Sequence, residues 1–217
     1  MIRGAIFDLD GTLLDSNGFW ERAPEAWLAA LGKRAKPGLG RAIFSMTLPE
    51  AADYLIAEYG LAQTPEEIAA GVNAAMERFY RHDIPLKPGV PALLRALGER
   101  GVPCAVASVT DKALVETALG RFDLLSCFAA IVTTEEAGAG KHAPDVYLLA
   151  AERLGAKPGE TLVFEDALHA LSTAKNAGFR TVGVFDTASA DMQAEIRAVS
   201  EFYLPDFSDC ARVLAAL

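Results

Sequence analysis

Five short runs of apolar residues, each closed by a polar one, constrain this chain more than any other feature. They occupy residues 5–7 before Asp8, 104–107 before Ser108, 130–132 before Thr133, 162–164 before Glu165 and 182–185 before Asp186. Successive side chains of an extended segment point to opposite faces, so a continuously apolar run is buried on both sides, as a strand of a parallel sheet must be. Between the runs, residues 91–100, 112–121, 145–154 and 168–177 carry apolar side chains at three- and four-residue spacing, and Gly101, Gly155 and Gly178 stand where helices would stop. This alternation implies right-handed crossovers and a doubly wound, Rossmann-like parallel α/β sheet, whose ligands collect beyond the carboxyl ends of the strands. The polar residues that close the runs stand at those ends.

Residues 15–83 follow another pattern. Helical spacing recurs at 19–31, 49–59 and 65–80 with no strand between, punctuated by Pro37-Gly38 and Gly60, and Pro85 with Pro88-Gly89 marks the return to alternation. The expected organisation is an α/β core made of residues 1–14 and 88–217, carrying an all-helical cap over 15–87. Phe19, Trp20, Trp27, Phe44, Met46, Tyr54 and Tyr59 in this insertion are expected mainly to pack helices together. Phe19 and Trp20, which follow the Asp15-Ser16 junction, are the ones expected to face a substrate.

Charge and composition exclude several classes. Lys and Arg total 20 against 29 Asp and Glu, a net charge of −9 that repels a phosphate backbone, so nucleic acid is not an expected partner. No apolar run approaches the roughly 18–20 residues of a membrane span, and the first residues lack the long apolar region of an export signal. Cys104, Cys127 and Cys210 are few and unclustered, which suits reduced thiols in a cytoplasmic protein better than a disulfide framework.

The first apolar run delivers Asp8-Leu9-Asp10-Gly11-Thr12, two carboxylates on one face of an extended chain followed by a glycine that lets it turn sharply. An isolated pair of this kind ends many strands without any chemistry. Here, however, Ser108 ends the second run, Lys141 stands in a Gly-rich loop after the third, and Glu165-Asp166 ends the fourth. A parallel sheet brings such positions to one rim. The segment 138–143 also matches G-x-G-x-x-A, but it does not lead directly from strand to helix, and no Ser or Thr follows Lys141 as a nucleotide-binding loop requires.

In these four motifs, taken in order, the chain resembles the haloacid dehalogenase superfamily of phosphohydrolases, in particular the beta-phosphoglucomutase/phosphatase-like members with a helical cap after the first strand. The resemblance implies that Asp8 attacks phosphorus to form an aspartyl-phosphate and that Asp10 is the general acid and base. It implies Mg²⁺ held by Asp8, the main-chain carbonyl of Asp10, Asp166 and Glu165, with Lys141, Ser108 and Thr12 on the phosphate side. The expected function is Mg²⁺-dependent hydrolysis of a small phosphorylated metabolite.

Departures from the family pattern are His142 after Lys141, and Ala167 and Ala170 after Asp166. Leu48 and Asp111 stand where mutases of the family place cations for a second phosphate, which favours a substrate with one phosphate. A sugar-phosphate mutase using Lys112 or Arg41 stays an alternative. A phospho-accepting receiver-like module is a further one, disfavoured because the nucleophile ends the first strand and a cap would be unexplained. Dehalogenation is disfavoured by Asp10, which dehalogenating relatives lack.

Overall fold

The computed structural model describes residues 2–43, 46 and 48–217. The expectation placed on Phe44 lies outside these residues, as do those on the side chains of Arg41 and Leu48.

The core is a six-stranded, wholly parallel sheet of β1 (Gly4–Phe7), β2 (Cys104–Ser108), β3 (Phe128–Thr133), β4 (Thr161–Glu165), β5 (Arg180–Val184) and β6 (Phe202–Leu204). The strand order is β3-β2-β1-β4-β5-β6. The sheet therefore winds outward in both directions from β1 and β4, and their carboxyl ends form the switch point where such sheets bind ligands. Every residue of β1, β2 and β4 is buried, which explains their uninterrupted apolar runs. Phe185 falls outside β5, and its N–H pairs with the carbonyl of Leu204 at 2.9 Å. The sixth strand was not expected: it has three residues, only one fully buried, too few for a periodicity to register.

The helices are α1 (Asn17–Ala30), α2 (Leu39–Ile43), α3 (Leu48–Tyr59), α4 (Pro65–His82), α5 (Val90–Glu99), α6 (Lys112–Gly120), α7 (Thr134–Ala137), α8 (Asp145–Leu154), α9 (Leu168–Asn176), α10 (Gln193–Val199) and α11 (Ala211–Leu214). None of those described is long and apolar enough to cross a membrane. Helix α8 shows how they dock. Val146, Tyr147, Ala150 and Ala151 form one stripe packed against Ile6, Ala105, Ala107, Val132 and Val163 of the sheet. α10 is legible only through Ile196, its one buried residue, so its amphipathic signal is slight. It lies close against β5: a Cβ built on Gly183 would stand 2.4 Å from Ser200 Oγ and 2.9 Å from Ile196 Cγ2. Gly183→Ala is therefore expected to destabilise the fold by about 1–3 kcal/mol through overpacking, read as a lowered denaturant midpoint at unchanged slope.

The chain divides into two compact units, Met1–Asp15 with Pro85–Leu217, and Ser16–Ile84. In the first, the segments that leave for and return from the insertion pair with each other. Asp15 N–H donates to Pro85 O at 3.0 Å and Lys87 N–H to Leu13 O at 2.9 Å, with Leu14 and Leu86 bridged antiparallel.

The second unit is all helical. Trp27, Leu28, Leu39, Leu55 and Ile68 form its core, and Thr64 and Glu67 close a reciprocal cap at the start of α4, satisfying amides that the first turn leaves free. Phe19 and Trp20 pack edge-on against Phe79 and Tyr80, with ring centroids 5.3 and 6.5 Å apart. Both therefore have partners within their own unit, the role given by expectation to the other aromatics.

Candidate active site

Asp8 is the residue immediately after β1, and its N–H donates to Phe164 O at 3.0 Å, which fixes it beside the end of β4. The chain then turns. Gly11 has a φ of 83°, a left-handed conformation that side-chain-bearing residues rarely adopt, and its N–H donates to Leu14 O at 2.9 Å. Glu165 is the last residue of β4, so Glu165 and Asp166 meet Asp8 across adjacent strands. One carboxylate oxygen from each of these three buried residues lies within 4.8 Å of the others.

Lys141 reaches this rim from the loop between α7 and α8, where Gly138 ends α7 at a φ of 76°. Its Nζ, buried with the rest, donates to Asp8 Oδ1 and to Glu165 Oε1. The Tyr147 hydroxyl donates to the same Glu165 oxygen at 2.7 Å. Thr12 donates to Asp166 Oδ1 at 3.4 Å. Its hydroxyl is thus engaged with the carboxylate cluster, where the resemblance had placed it on phosphate. On the other side of Asp8, Thr110 Oγ1 donates to Asp10 Oδ2 at 2.6 Å, and Thr110 N–H donates to Ser108 Oγ at 3.0 Å. The Asp10 side chain is therefore directed to the loop after β2 and is not part of the carboxylate cluster.

Electrostatics follow from burial. Desolvation holds Asp8 well above the usual carboxylate range; Lys141 opposes the shift, and Glu165, Asp166 and Asp10 reinforce it. Asp166 is pushed up to about 7 by burial, Glu165 and Asp186, against Lys141 and Lys87. Burial alone would lower Lys141, but Asp8 and Glu165 more than offset it and keep the ammonium charged. Three buried carboxylates share this one lysine, Asp8 and Asp166 resist ionisation until more positive charge arrives, and all of the ligand atoms are hard oxygens. That donor set fits a small divalent cation of the Mg²⁺ or Ca²⁺ kind.

The structure thus brings Asp8, Lys141, Glu165, Asp166 and Thr12 into one cluster, with Asp10 and Ser108 linked through Thr110 beside it. Four contributors escaped the sequence reasoning. Thr110 lies two residues beyond Ser108 in the same rim loop, which was a usable signal. Tyr147 sits in the apolar stripe of α8, where a tyrosine is indistinguishable from a packing residue. Lys87 and Asp186 form a buried pair at 2.8 Å, with Lys87 also donating to Phe185 O at 2.5 Å. Asp186 closes the fifth apolar run and so was placed at the rim without a role, whereas Lys87 adjoined no motif.

Comparison with known proteins agrees with this geometry. Residues 2–178 match the family model of haloacid dehalogenase-like hydrolases. The probable pseudouridine-5'-phosphatase of Drosophila melanogaster is 34% identical over 83% of this chain and 80% of its own. Hexitol phosphatase B of Escherichia coli K12 is 30% identical over 84% of this chain and 83% of its own. The bifunctional riboflavin kinase/FMN phosphatase of Arabidopsis thaliana is 31% identical over 82% of this chain, which spans only 47% of that longer protein. Among solved structures, a provisionally named beta-phosphoglucomutase from Thermotoga maritima superposes over 100% of both chains with a TM-score of 0.86 and 26% identity. With a family model spanning most of its length and an acidic, lysine-bridged rim at the switch point of its sheet, the chain belongs to the haloacid dehalogenase-like hydrolases.

Proposed function

We propose that the chain is a phosphatase that hydrolyses a small organic phosphomonoester, such as a sugar or nucleoside phosphate, through a phosphorylated Asp8. The observation that carries this is the buried Lys141 bridging Asp8 and Glu165 beside Asp166 at the switch point. The names of the relatives support the substrate class.

A carboxylate oxygen of Asp8 forms a bond to phosphorus as the ester P–O bond breaks, and Asp10 gives its proton to the departing alkoxide. Water then attacks phosphorus, Asp10 takes the proton back, and Asp8 is freed as phosphate leaves. Lys141 offsets the charge that brings a carboxylate and a phosphate together, and the Ser108 hydroxyl and neighbouring amides donate to phosphoryl oxygens. Asp8, Asp166, Glu165 and the Asp10 carbonyl are the groups for Mg²⁺, which when bound supplies charge neutralisation and fixed geometry. A reducing, cytoplasmic setting suits the free thiols of Cys104, Cys127 and Cys210.

The test is phosphate release from a panel of hexose, pentose, hexitol and nucleoside monophosphates, with Mg²⁺ and with EDTA. Release that needs Mg²⁺ and selects among them supports the proposal; no release under any condition rejects it. A metal site at Asp166 has its own expected outcome. Asp166→Asn raises the Mg²⁺ concentration for half-maximal rate by at least about tenfold, and an unchanged titration moves the metal elsewhere.

The mutase reading rests on the similarity to the Thermotoga maritima protein. Conversion of a sugar phosphate into its isomer without phosphate release would favour it. Asp111 precedes α6 without a side-chain capping hydrogen bond and Lys112 begins the helix, both exposed.

A further inference from the structure

We infer that Tyr147 is a positioning residue for the metal-binding carboxylate Glu165, setting which oxygen of Glu165 serves a cation and how strongly Lys141 is shared. This rests on the metal site proposed above and deepens it.

Three observations carry the inference. First, Glu165 Oε1 takes two donors at once, Lys141 Nζ and Tyr147 Oη at 2.7 Å, so this oxygen is committed and Oε2 is the one a cation would use. Second, Lys141 is divided between Asp8 and Glu165. A neutral hydroxyl on Glu165 satisfies that carboxylate without further positive charge, so the lysine need not be drawn off the nucleophile. Third, the tyrosine has nowhere else to go. It is fully buried in the apolar stripe of α8, in the first turn of that helix, and its ring packs edge-on against Phe179 with centroids 6.2 Å apart. A phenol hydroxyl carries its proton at neutral pH, and a carboxylate oxygen can only accept, so the 2.7 Å contact is a donation from Tyr147 to Glu165.

A phenylalanine would fill the same stripe. A tyrosine placed with its only polar atom on a buried carboxylate orients that carboxylate, and donors that orient metal ligands typically contribute about 10–100-fold to metal affinity. The hydroxyl thus accounts for something that packing does not.

The experiment measures Mg²⁺ binding to the metal-free full chain by titration calorimetry, for wild type, Tyr147→Phe, Glu165→Gln and the double variant, alongside the melting temperature of each. Tyr147→Phe removes one atom and leaves the packing surface. The expected result is Mg²⁺ affinity about tenfold weaker in Tyr147→Phe, with no further loss when it is added to Glu165→Gln, because the hydroxyl acts through that carboxylate. Affinity within about twofold of wild type, or an equal loss in both backgrounds, would overturn the inference while leaving the metal site standing. Absence of Mg²⁺ binding by the wild type would overturn both the inference and the proposed metal site. A variant that loses affinity only in step with a collapsed melting temperature counts against positioning and for packing.

Discussion

Asp8→Asn is expected to lower phosphate release by at least about a thousandfold, because the amide cannot form the acyl phosphate through which turnover proceeds. The substitution preserves shape, and Lys141 keeps its second partner in Glu165, so the fold is expected to survive with the ammonium still paired. The loss is therefore read as chemistry and checked in two ways. Steady-state phosphate release falls to background, and no label from a phosphorus-labelled substrate is retained on the protein after rapid quenching. Activity above about one hundredth of wild type would reject Asp8 as the nucleophile.

Asp10→Asn is expected to cost about 10²–10⁴ in turnover, the usual worth of a positioned acid and base. The Asp10 carboxylate is held by Thr110 Oγ1 at 2.6 Å, so an amide of the same shape keeps its place and loses only the ability to carry a proton. Its effect depends on the leaving group. An aryl phosphate, whose leaving oxygen needs little protonation, should still phosphorylate Asp8 in this variant, and the phospho-enzyme should accumulate because water is no longer activated. A burst followed by slow turnover is the expected trace; alkyl and aryl phosphates slowed equally would remove Asp10 as the acid of the first step, and a trace with no burst would remove it as the base of the second.

The two variants separate the roles of residues only two positions apart. Asp8 stands where β1 ends and points into the cluster with Glu165 and Asp166. Asp10 lies past the start of the turn that Gly11 completes, and is directed to the loop after β2. Nothing in the pair Asp8-Leu9-Asp10 announces that separation, since an extended chain would put both carboxylates on one face. The turn breaks that equivalence, leaving one carboxylate against the lysine and the other against a hydroxyl.

Much of the core was legible because its signals are local. A run buried on both faces must be apolar throughout, and a helix docked on a sheet must repeat its apolar residues at three and four, whatever the partner. β1, β2, β4 and β5, and α5, α6, α8 and α9, were found at or within a few residues of their observed bounds for this reason. β6, α10 and α11 were not: each is short and buries little, so the constraint on its residues is weak.

By itself the sequence determined that a parallel α/β core with a helical insertion would form, and that Asp8, Ser108, Glu165 and Asp166 would end or follow its strands. Only the tertiary structure decided the strand order, the placing of Thr12 on Asp166, of Thr110 on Asp10 and of Tyr147 on Glu165. Those partners lie 154, 100 and 18 residues apart. Which strand lies beside which, and how far a helix slides along the sheet, is set by the packing of the whole core. A hydrogen bond of 2.6–2.7 Å, such as those to Asp10 and Glu165, exists only once that packing is complete.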